Sequence, residues 1–414
     1  MIIECMTILN IHKFYHESRG AERYYFALEK ALREQGHAVI PFCARHPENK
    51  PTPYEEYFVK YMDFSGKSGW GLKHFGRMLY SLEARSKLKK QVDKERIDVA
   101  HIHSIYHQIS PSVLSVLKKK GIPIVMTVHD YKLVCPNYSL YSQGFPCTRC
   151  KKRAYWNAVR YRCVKGSYWA GLAAAMEMGF HGFVGFYEKY VDVFIVPSEF
   201  VRKVLIDFGY SESKIRVIPH FAIPGQENFS KQRGPESKVT FLYLGSLSEE
   251  KGILDWVNAF VGLQEKAILR IAGTGPLEEV LKDKIRKQNL GHIELMGRKT
   301  GKDLEKEIQE SDVIAVPSRV WETFGLVVLE AYAWAKPVIV SSSGALPELV
   351  EKGKTGWIYE ALNPVSLKET LFQVLNEKDK IPKMGKEGIW RLRKNFSKES
   401  HMEALEKVYR SLAK

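Results

Sequence analysis

The sequence predicts an α/β protein made of two doubly wound domains that face each other across a cleft. Three observations lead to this prediction. The chain has 414 residues, too many for one ordinary hydrophobic core. Short apolar runs alternate with segments of helical periodicity, a pattern typical of parallel sheets covered by helices. Residues 193–198 (VFIVPS) and 313–318 (VIAVPS) are similar strand ends, which indicates two domains of similar construction.

The first domain is predicted to open with a βαβ unit. A strand at residues 7–10 leads through a loop to a helical pattern at 21–33, and a second strand follows at 38–42. Gly20 precedes the helix, where a glycine allows the backbone to approach a ligand closely. We therefore interpret Gly20 as a candidate binding residue.

Two further strands of this domain end in polar residues. The run 97–103 ends at His103, and the run 123–130 ends at His129 and Asp130. Ligands of open α/β sheets bind at the carboxyl ends of the strands. His129 is therefore the candidate site histidine, and His103 and Asp130 are assigned to the acceptor side of the site.

The chain is predicted to divide into four parts. The first domain covers residues 1–224 and contains a Cys-rich insert at 135–176. A polar segment rich in Gly and Pro, residues 225–237, reads as a linker. The second domain covers 238–396, and a final basic helix covers 397–414.

Four of the six cysteines lie in the insert, at Cys135, Cys147, Cys150 and Cys163. One Cys-x2-Cys pair with two flanking thiols fits a tetrahedral structural zinc site. Free thiols, or a redox pair or cluster, are the alternatives. Four thiolates would fill the coordination sphere, so such a zinc would be structural and not catalytic.

Basic and aromatic residues are concentrated in two stretches. Residues 135–176 contain no acid, while seven Lys or Arg side chains are interleaved with aromatic ones; residues 65–91 contain one acid, Glu83, against seven basic residues. Such surfaces suit an anionic membrane or single-stranded nucleic acid. A solvated helix remains the alternative for 65–91.

Bulk properties agree with a soluble globular protein that has an acidic partner. The net charge is +16 and the hydrophobic content 45%, so nucleic acid, an anionic membrane or a phosphorylated substrate could bind. We see no signal peptide and expect a cytoplasmic location, with peripheral contact to the inner face of the cell membrane. Residues 169–187 contain Glu177, His181 and four glycines, so we expect an interfacial or core helix and not a membrane span.

The most informative stretch is residues 316–331 (VPSRVWETFGLVVLEA). A strand ends at a proline, and a helix is predicted to begin after Gly325. The free N–H groups at a helix N-terminus suit a diphosphate. Glu322 stands before the helix and Glu330 lies within it, so the two carboxylates can hold different parts of one ligand.

A second candidate loop opens the second domain. A buried strand ends at Gly245, and Lys251 stands just before a helix, where its ammonium can reach a phosphate. Arg298 follows another predicted strand, at residues 293–297.

These motifs resemble glycosyltransferase family 4, whose members are retaining enzymes of the GT-B fold with two Rossmann-like domains. The spacing from Glu322 to Glu330 matches the family's Glu-x7-Glu motif, and Gly245 with Lys251 matches part of its Gly-Arg-Leu-x-x-x-Lys-Gly pattern. Ser246 stands where the family has the Arg, so Arg319 or Arg298 is a candidate replacement. The family's last helix crosses back onto the first domain.

The resemblance implies roles for individual residues. Glu322, Lys251 and His129 would act at the reacting sugar and its leaving group, and Glu330 would bind the ribose. The implied donor-binding residues are Gly20, Gly245, Lys251, Arg298, Glu322, Thr323, Phe324, Gly325, Leu326 and Glu330.

The expected activity is transfer of a sugar from a nucleotide-diphosphate donor to a glycan acceptor, which we expect to be lipid-linked. No Asp-x-Asp occurs in the chain, which favours chemistry without a catalytic metal. Two other classes stay open: a GT-B phosphorylase or epimerase, and a nucleic-acid-binding protein that uses the basic insert. Of these partners we favour the glycan and an anionic membrane over nucleic acid.

Overall fold

A computed structural model describes residues 5–17, 20–63, 72–222 and 237–413. It divides into two compact units. The first comprises Met1–Leu140, Thr148–Ile218 and His401–Lys414, and the second comprises Tyr141–Cys147 and Pro219–Ser400. The predicted linker, apart from Ser237, and residues 65–71 of the basic stretch lie outside the described residues.

The first unit is an open parallel sheet covered by helices. Its strands are β1 Thr7–Ile11, β2 Ala38–Phe42, β3 Val99–Ile102, β4 Ile124–Thr127, β7 Val193–Val196 and β8 Ile215–Val217. The short strands β5 Tyr141–Ser142 and β6 Phe145–Pro146 form an antiparallel hairpin that belongs to the second unit. The sheet order is β2-β1-β3-β4-β7-β8, and all pairs are parallel.

The helices of the first unit include the predicted helical stretches, two of which are divided, at Ser81 and at Gly185. They are α1 Gly20–Glu34, α2 Leu72–Leu79, α3 Leu82–Lys94, α4 Ser112–Lys119, α5 Asn157–Arg160, α6 Tyr168–Val184, α7 Phe186–Tyr190 and α8 Glu199–Asp207. The described part of the basic stretch 65–91 thus forms two helices, because α3 starts anew at Ser81, whose hydroxyl accepts a hydrogen bond from the Ala84 amide.

The second unit repeats this architecture. Its strands are β9 Val239–Leu244, β10 Ala267–Ala272, β11 Ile293–Gly297, β12 Val313–Val316, β13 Val338–Ser341 and β14 Gly356–Tyr359, in the order β11-β10-β9-β12-β13-β14. Its helices are α9 Ile253–Ala259, α10 Glu278–Lys287, α11 Gly301–Glu310, α12 Leu326–Ala333, α13 Leu346–Leu349, α14 Pro364–Asn376 and α15 Ile381–Asn395. All strand pairs of this six-stranded sheet are parallel.

The last helix, α16 Lys398–Leu412, belongs to the first unit from His401 onward, as the family resemblance implies. Its buried side chains anchor it there. The Tyr24 hydroxyl lies 3.0 Å from His401 Nε2, and the Tyr409 hydroxyl lies 2.5 Å from His101 Nδ1.

The insert packs around α6, which has two different faces. Glu177, Met178 and His181 are buried on one face, and Met178 packs with Cys150 and Tyr155. Large apolar side chains are exposed on the other face. Among the described residues, no helix is long and apolar enough to cross a membrane.

Candidate active site

The central feature of the second unit is an ion pair between two of the predicted site residues. Lys251 Nζ lies 2.6 Å from Glu322 Oε1, and the Ser318 hydroxyl donates a short hydrogen bond to the same oxygen. Burial alone would raise the pKa of Glu322, but the charge of Lys251 and these hydrogen bonds outweigh it, so the pKa is lowered. For Lys251, burial is outweighed by Glu322, and its pKa is raised. Both groups are therefore charged at neutral pH.

Two glycines hold the backbones that carry this pair. Gly252 has φ +72°, and a Cβ there would lie 2.1 Å from the Pro317 carbonyl oxygen. Gly344 has φ +63°, and a Cβ there would lie 2.4 Å from the Glu322 backbone nitrogen. Only glycine allows both the left-handed backbone and the close approach. Lys251 and Glu322 are thus placed by turns that a side chain would disrupt.

The stretch from Thr323 to Glu330 adopts the predicted loop and helix. Gly325 precedes α12 with φ +112°, Phe324 is buried against His220 at a ring distance of 5.2 Å, and Thr323 and Leu326 are half-buried. Glu330 lies inside α12 and is also half-buried. The two glutamates therefore occupy a loop and a helix, as the sequence predicts.

The remaining predicted phosphate-binding positions lie on loops that follow strands. Gly245 follows β9, and its amide donates to the Ala272 carbonyl at 3.2 Å. Ser246 is exposed beside it, and Arg298 is exposed in the loop after β11. Arg319 instead forms a two-pronged salt bridge to Asp255, with Nε to Oδ2 at 2.7 Å and Nη2 to Oδ1 at 2.5 Å. The charge of Arg319 is therefore already balanced, so Arg298 is the better candidate to replace the family's Arg.

In the first unit the two predicted strand-end histidines contact each other. His103 Nε2 lies 3.0 Å from Asn10 Oδ1, and His103 Nδ1 lies 2.9 Å from His129 Nε2. Since Asn10 Oδ1 accepts, His103 donates through Nε2 and accepts from His129, whose Nδ1 then carries a lone pair. Burial, with His12 nearby, lowers the pKa of His129 to about 3. His129 is a neutral imidazole with a fixed tautomer, and His103 holds it in place.

Asp130 follows His129 and has a different environment. Burial raises its pKa, although Lys13 and Lys132 act against this, and its Oδ1 accepts a hydrogen bond from the Lys132 amide at 2.9 Å. The Lys132 ammonium lies 2.8 Å from Glu177 Oε2, and both side chains are almost fully buried. This pair joins the loop after β4 to the insert helix α6.

The N-terminus of α1 carries another buried carboxylate, that of Glu22. Gly20 begins the helix and is exposed. Glu22 is buried, with Lys13 Nζ at 3.4 Å and His12 Nε2 at 3.8 Å. Burial opposes ionisation of Glu22, yet these neighbours lower its pKa. The loop after β1 is thus held by charge as well as by packing.

The four insert cysteines form no disulfide bond in the structure. Cys135 and Cys150 are buried, and Cys147 and Cys163 are half-buried. Cys135 Sγ donates to Asn137 Oδ1 at 2.8 Å. Thiols with this burial are compatible with thiolate ligands, and the zinc site stays a prediction.

Family models match both parts of the chain. Residues 18–222 match the model described as Glycosyltransferase Family 4, and residues 225–391 match the model described as Glycosyl transferases group 1. The chain belongs to the family 4 glycosyltransferases. An uncharacterized glycosyltransferase of Methanocaldococcus jannaschii is 26% identical over 343 residues, 83% of each chain.

Solved structures confirm the GT-B fold of this glycosyltransferase. Sucrose-phosphate synthase from Thermosynechococcus elongatus matches with a TM-score of 0.69 and 19% identity, covering 98% of this chain and 99% of that one. Anabaena HepE in complex with UDP-glucose matches with a TM-score of 0.64 and 16% identity, covering 97% and 99%.

Some residues of the glycosyltransferase were not among the predicted site residues. Asn10, Lys132 and Glu177 orient or support predicted residues, yet none stands in a recognisable motif. For Asn10 a signal exists, since a polar side chain within the buried strand β1 is costly without a partner. The Lys132–Glu177 pair joins residues 45 positions apart, a contact that spacing alone does not predict.

Proposed function

We propose that this protein is a retaining glycosyltransferase that moves a sugar from a nucleotide-diphosphate donor to a glycan acceptor carried on a membrane lipid. The observation that carries the donor half is the Lys251–Glu322 pair beside the N-terminus of α12. An ammonium fixed by a carboxylate at a helix N-terminus suits a ligand that carries both phosphate charge and sugar hydroxyls. The complex of HepE with UDP-glucose supports this class of donor.

The residues suggest how charge is handled during transfer. As the bond between the sugar and the diphosphate breaks, negative charge grows on the leaving oxygen, and Lys251 can balance it without a metal ion. Glu322 shares that ammonium and can accept hydrogen bonds from sugar hydroxyls. His129, kept neutral, can accept a hydrogen bond through Nδ1 without adding a positive charge.

Retention follows if the acceptor attacks the face that the diphosphate leaves. The acceptor hydroxyl then bonds to the anomeric carbon while its proton passes to the leaving phosphate oxygen, so no enzyme nucleophile is needed. NMR of the product tests this step. We expect the anomeric configuration of the donor, and an inverted centre would contradict the mechanism.

The donor is identified by a thermal-shift panel of nucleotide sugars with different bases and sugars. Binding of the cognate donor stabilises the folded protein by RT ln(1 + [L]/Kd), so at equal concentrations the tightest donor raises the unfolding temperature most. The same preparation, incubated with inorganic phosphate and glycan, should release no sugar phosphate. Release would favour a phosphorylase over a transferase.

The acceptor half of the proposal rests on the exposed face of α6. Trp169, Met176, Phe180 and Phe183 follow one another at spacings of seven, four and three residues, so they form one stripe along the helix. Trp169 is 74% exposed and Phe183 is 88% exposed. Together with the seven basic residues of the acid-free segment 135–176, this stripe suits the interface of an anionic membrane.

Liposome flotation tests the membrane surface. We expect the protein to float with vesicles that contain anionic lipid and the Trp169→Ala/Phe183→Ala variant to remain in solution. The matched control is Trp390→Ala/Phe372→Ala, which removes two aromatic side chains that are 53% and 38% exposed in the second unit. Equal flotation of both variants would contradict the proposal, and tighter binding to oligonucleotides than to vesicles would favour the nucleic-acid class.

A further inference from the structure

We propose that His16, His46 and Glu48 bind a divalent transition metal ion of the zinc class in the first unit. One potential ligand atom of each side chain lies within 4.8 Å of the other two. His16 lies in the loop after β1 and His46 in the loop after β2, and these strands are parallel neighbours. The cluster therefore stands at the carboxyl edge of the sheet. It shares no residue with the donor-binding set and does not depend on the transferase proposal.

Asn49 fixes the tautomer of His16. Its Oδ1 accepts a hydrogen bond from the Tyr15 amide at 2.9 Å, and its Nδ2 donates to the Ala44 carbonyl at 2.8 Å. The amide can therefore present only its oxygen to His16 Nδ1, which lies 3.2 Å away. Because His16 donates through Nδ1, its Nε2 is left with a lone pair in the neutral ring.

That lone pair faces a carboxylate. His16 Nε2 lies 3.5 Å from Glu48 Oε2, and His46 Nδ1 lies 4.0 Å from the same oxygen. His46 Nδ1 also accepts a hydrogen bond from the Glu48 amide at 3.3 Å, which a bound metal ion would replace. Two acceptors at this distance repel each other, and a cation between them removes the repulsion. Among the described residues, no Lys or Arg forms an ion pair with Glu48, so a proton on an imidazole or a bound metal ion can supply that cation.

The spacing suits the metal. Zinc lies about 2.0–2.2 Å from imidazole nitrogen and carboxylate oxygen, so tetrahedral ligand atoms lie roughly 3.4 Å apart. The distance from His16 to Glu48 already has this value. The Glu48 side chain is 72% exposed, so it can rotate by the small amount that a shorter distance to His46 requires.

Aromatic packing holds both imidazoles before any ion binds. The two rings stack with centroids 4.5 Å apart, Phe14 stacks on His16 at 5.2 Å, and Tyr61 meets the edge of His46 at 5.2 Å. The lone pair of an imidazole lies in the plane of its ring, and these two planes are 30° apart. One ring therefore has to tilt before both lone pairs point at one ion, and the packing keeps the two rings close enough for that. Two imidazoles and one carboxylate favour zinc, nickel or copper over magnesium or calcium, and they leave a coordination position for water or an anionic ligand.

Cobalt substitution distinguishes this site from the cysteine insert. The metal-stripped full-length protein is titrated with Co²⁺ and followed by absorption spectroscopy. Thiolate ligands give a sulfur-to-metal charge-transfer band, and nitrogen and oxygen ligands do not. We expect a Co²⁺ spectrum without this band, and we expect it to persist in Cys147→Ser/Cys150→Ser. Glu48→Gln and His46→Gln should weaken this binding at least tenfold.

Two controls keep the test decisive. Glu17→Gln removes a glutamate that follows His16 in the loop after β1 and pairs with Lys50, and it should leave Co²⁺ binding unchanged. Glu48→Gln is the main variant because its side chain is exposed and its loss should not impair folding, which the unfolding temperature of the metal-free protein checks. Equal Co²⁺ affinity in the wild type and Glu48→Gln, or no nitrogen and oxygen spectrum at all, would overturn the proposal and leave a proton between His16 and Glu48.

Discussion

Lys251 Nζ and Glu322 Oε1 are 2.6 Å apart although the two residues are 71 positions apart in the sequence. The pair joins the loop before α9 to the loop before α12. A donor diphosphate that enters here meets an ammonium already paired with a carboxylate, so it must share Lys251 with Glu322. The two side chains should therefore act as a unit during transfer.

Removal of Lys251 should be the most damaging single change at the donor site. We expect Lys251→Ala to lower kcat/KM by more than tenfold, about 1.4 kcal/mol, because no other matched cation balances the leaving diphosphate and Glu322 loses its partner. Steady-state kinetics measure this loss, with the exposed Lys238 changed to Ala as a control. A loss below tenfold would count against the role of Lys251.

Glu322 and Glu330 should affect different kinetic parameters. We expect Glu330→Ala to weaken nucleotide binding, since a ribose contact changes little during the reaction, and Glu322→Ala to lower mainly kcat, since charge develops close to it. Calorimetry with the nucleoside diphosphate and steady-state kinetics separate the two effects. Equal changes in affinity and kcat for both variants would contradict the assignment.

The buried His101 should make the first unit sensitive to acid. Burial lowers the pKa of His101 from 6.5 to about 3, so the unfolded chain takes up a proton at pH 5 that the folded chain does not. Stability is therefore full above pH 6.5 and falls as the pH drops toward 3. At pH 5 the loss from this residue is at most about 2 kcal/mol.

Denaturant unfolding at pH 7 and pH 5 measures this loss. His101 Nδ1 and Nε2 lie within hydrogen-bond distance of the Tyr409 and Thr127 hydroxyls, and His101→Gln preserves polar atoms near both. We expect the variant to be less stable at pH 7 but to lose less stability on going to pH 5. An unchanged pH dependence would show that other groups cause it.

The sequence predicts features that depend on residues close to one another along the chain. The strand and helix patterns, the loop position of Glu322 and the helical position of Glu330 all follow from periodicity and from Gly325 within a few residues. The two similar halves and the returning helix α16 follow from the same patterns and from the family resemblance.

Contacts between segments that are distant in the sequence could not be predicted from it. The pairing of Arg319 with Asp255 depends on how two loops meet, and it could not be read from either residue. The bond between His103 and His129 needed Asn10 as well as the sheet order. Side-chain partners are set by tertiary packing, for which one sequence carries no direct signal.

The Lys132–Glu177 pair gives a prediction about the insert. Both side chains are buried, at 3% and 1% exposure, so removal of one leaves an uncompensated charge. We expect Lys132→Met to lower the free energy of unfolding by about 3–5 kcal/mol. Denaturant unfolding monitored by tryptophan fluorescence measures the change.

The matched control for this pair is Lys132→Met/Glu177→Gln. The glutamine keeps an acceptor for His107, whose Nδ1 lies 3.2 Å from Glu177 Oε1, while it removes the unpaired charge. The double variant should therefore be more stable than Lys132→Met alone. A double variant that is less stable would show that the charge at Glu177 stabilises the insert by contacts other than Lys132.

The four insert cysteines lead to the last prediction, that they bind one structural zinc ion. The insert has a small apolar cluster, in which Cys150 packs with Tyr155 and Met178, and a metal bound by thiolates would add folding free energy to so short a segment. Elemental analysis should find about one zinc per chain more in the purified wild type than in Cys147→Ser/Cys150→Ser. Cys147→Ser/Cys150→Ser should lose this metal and transfer to the lipid-linked acceptor, while donor binding in the second unit survives. The control Cys5→Ser/Cys43→Ser changes the two cysteines outside the insert and should keep the zinc. A metal-free wild type with full transferase activity would contradict the prediction and leave the insert cysteines as packing thiols.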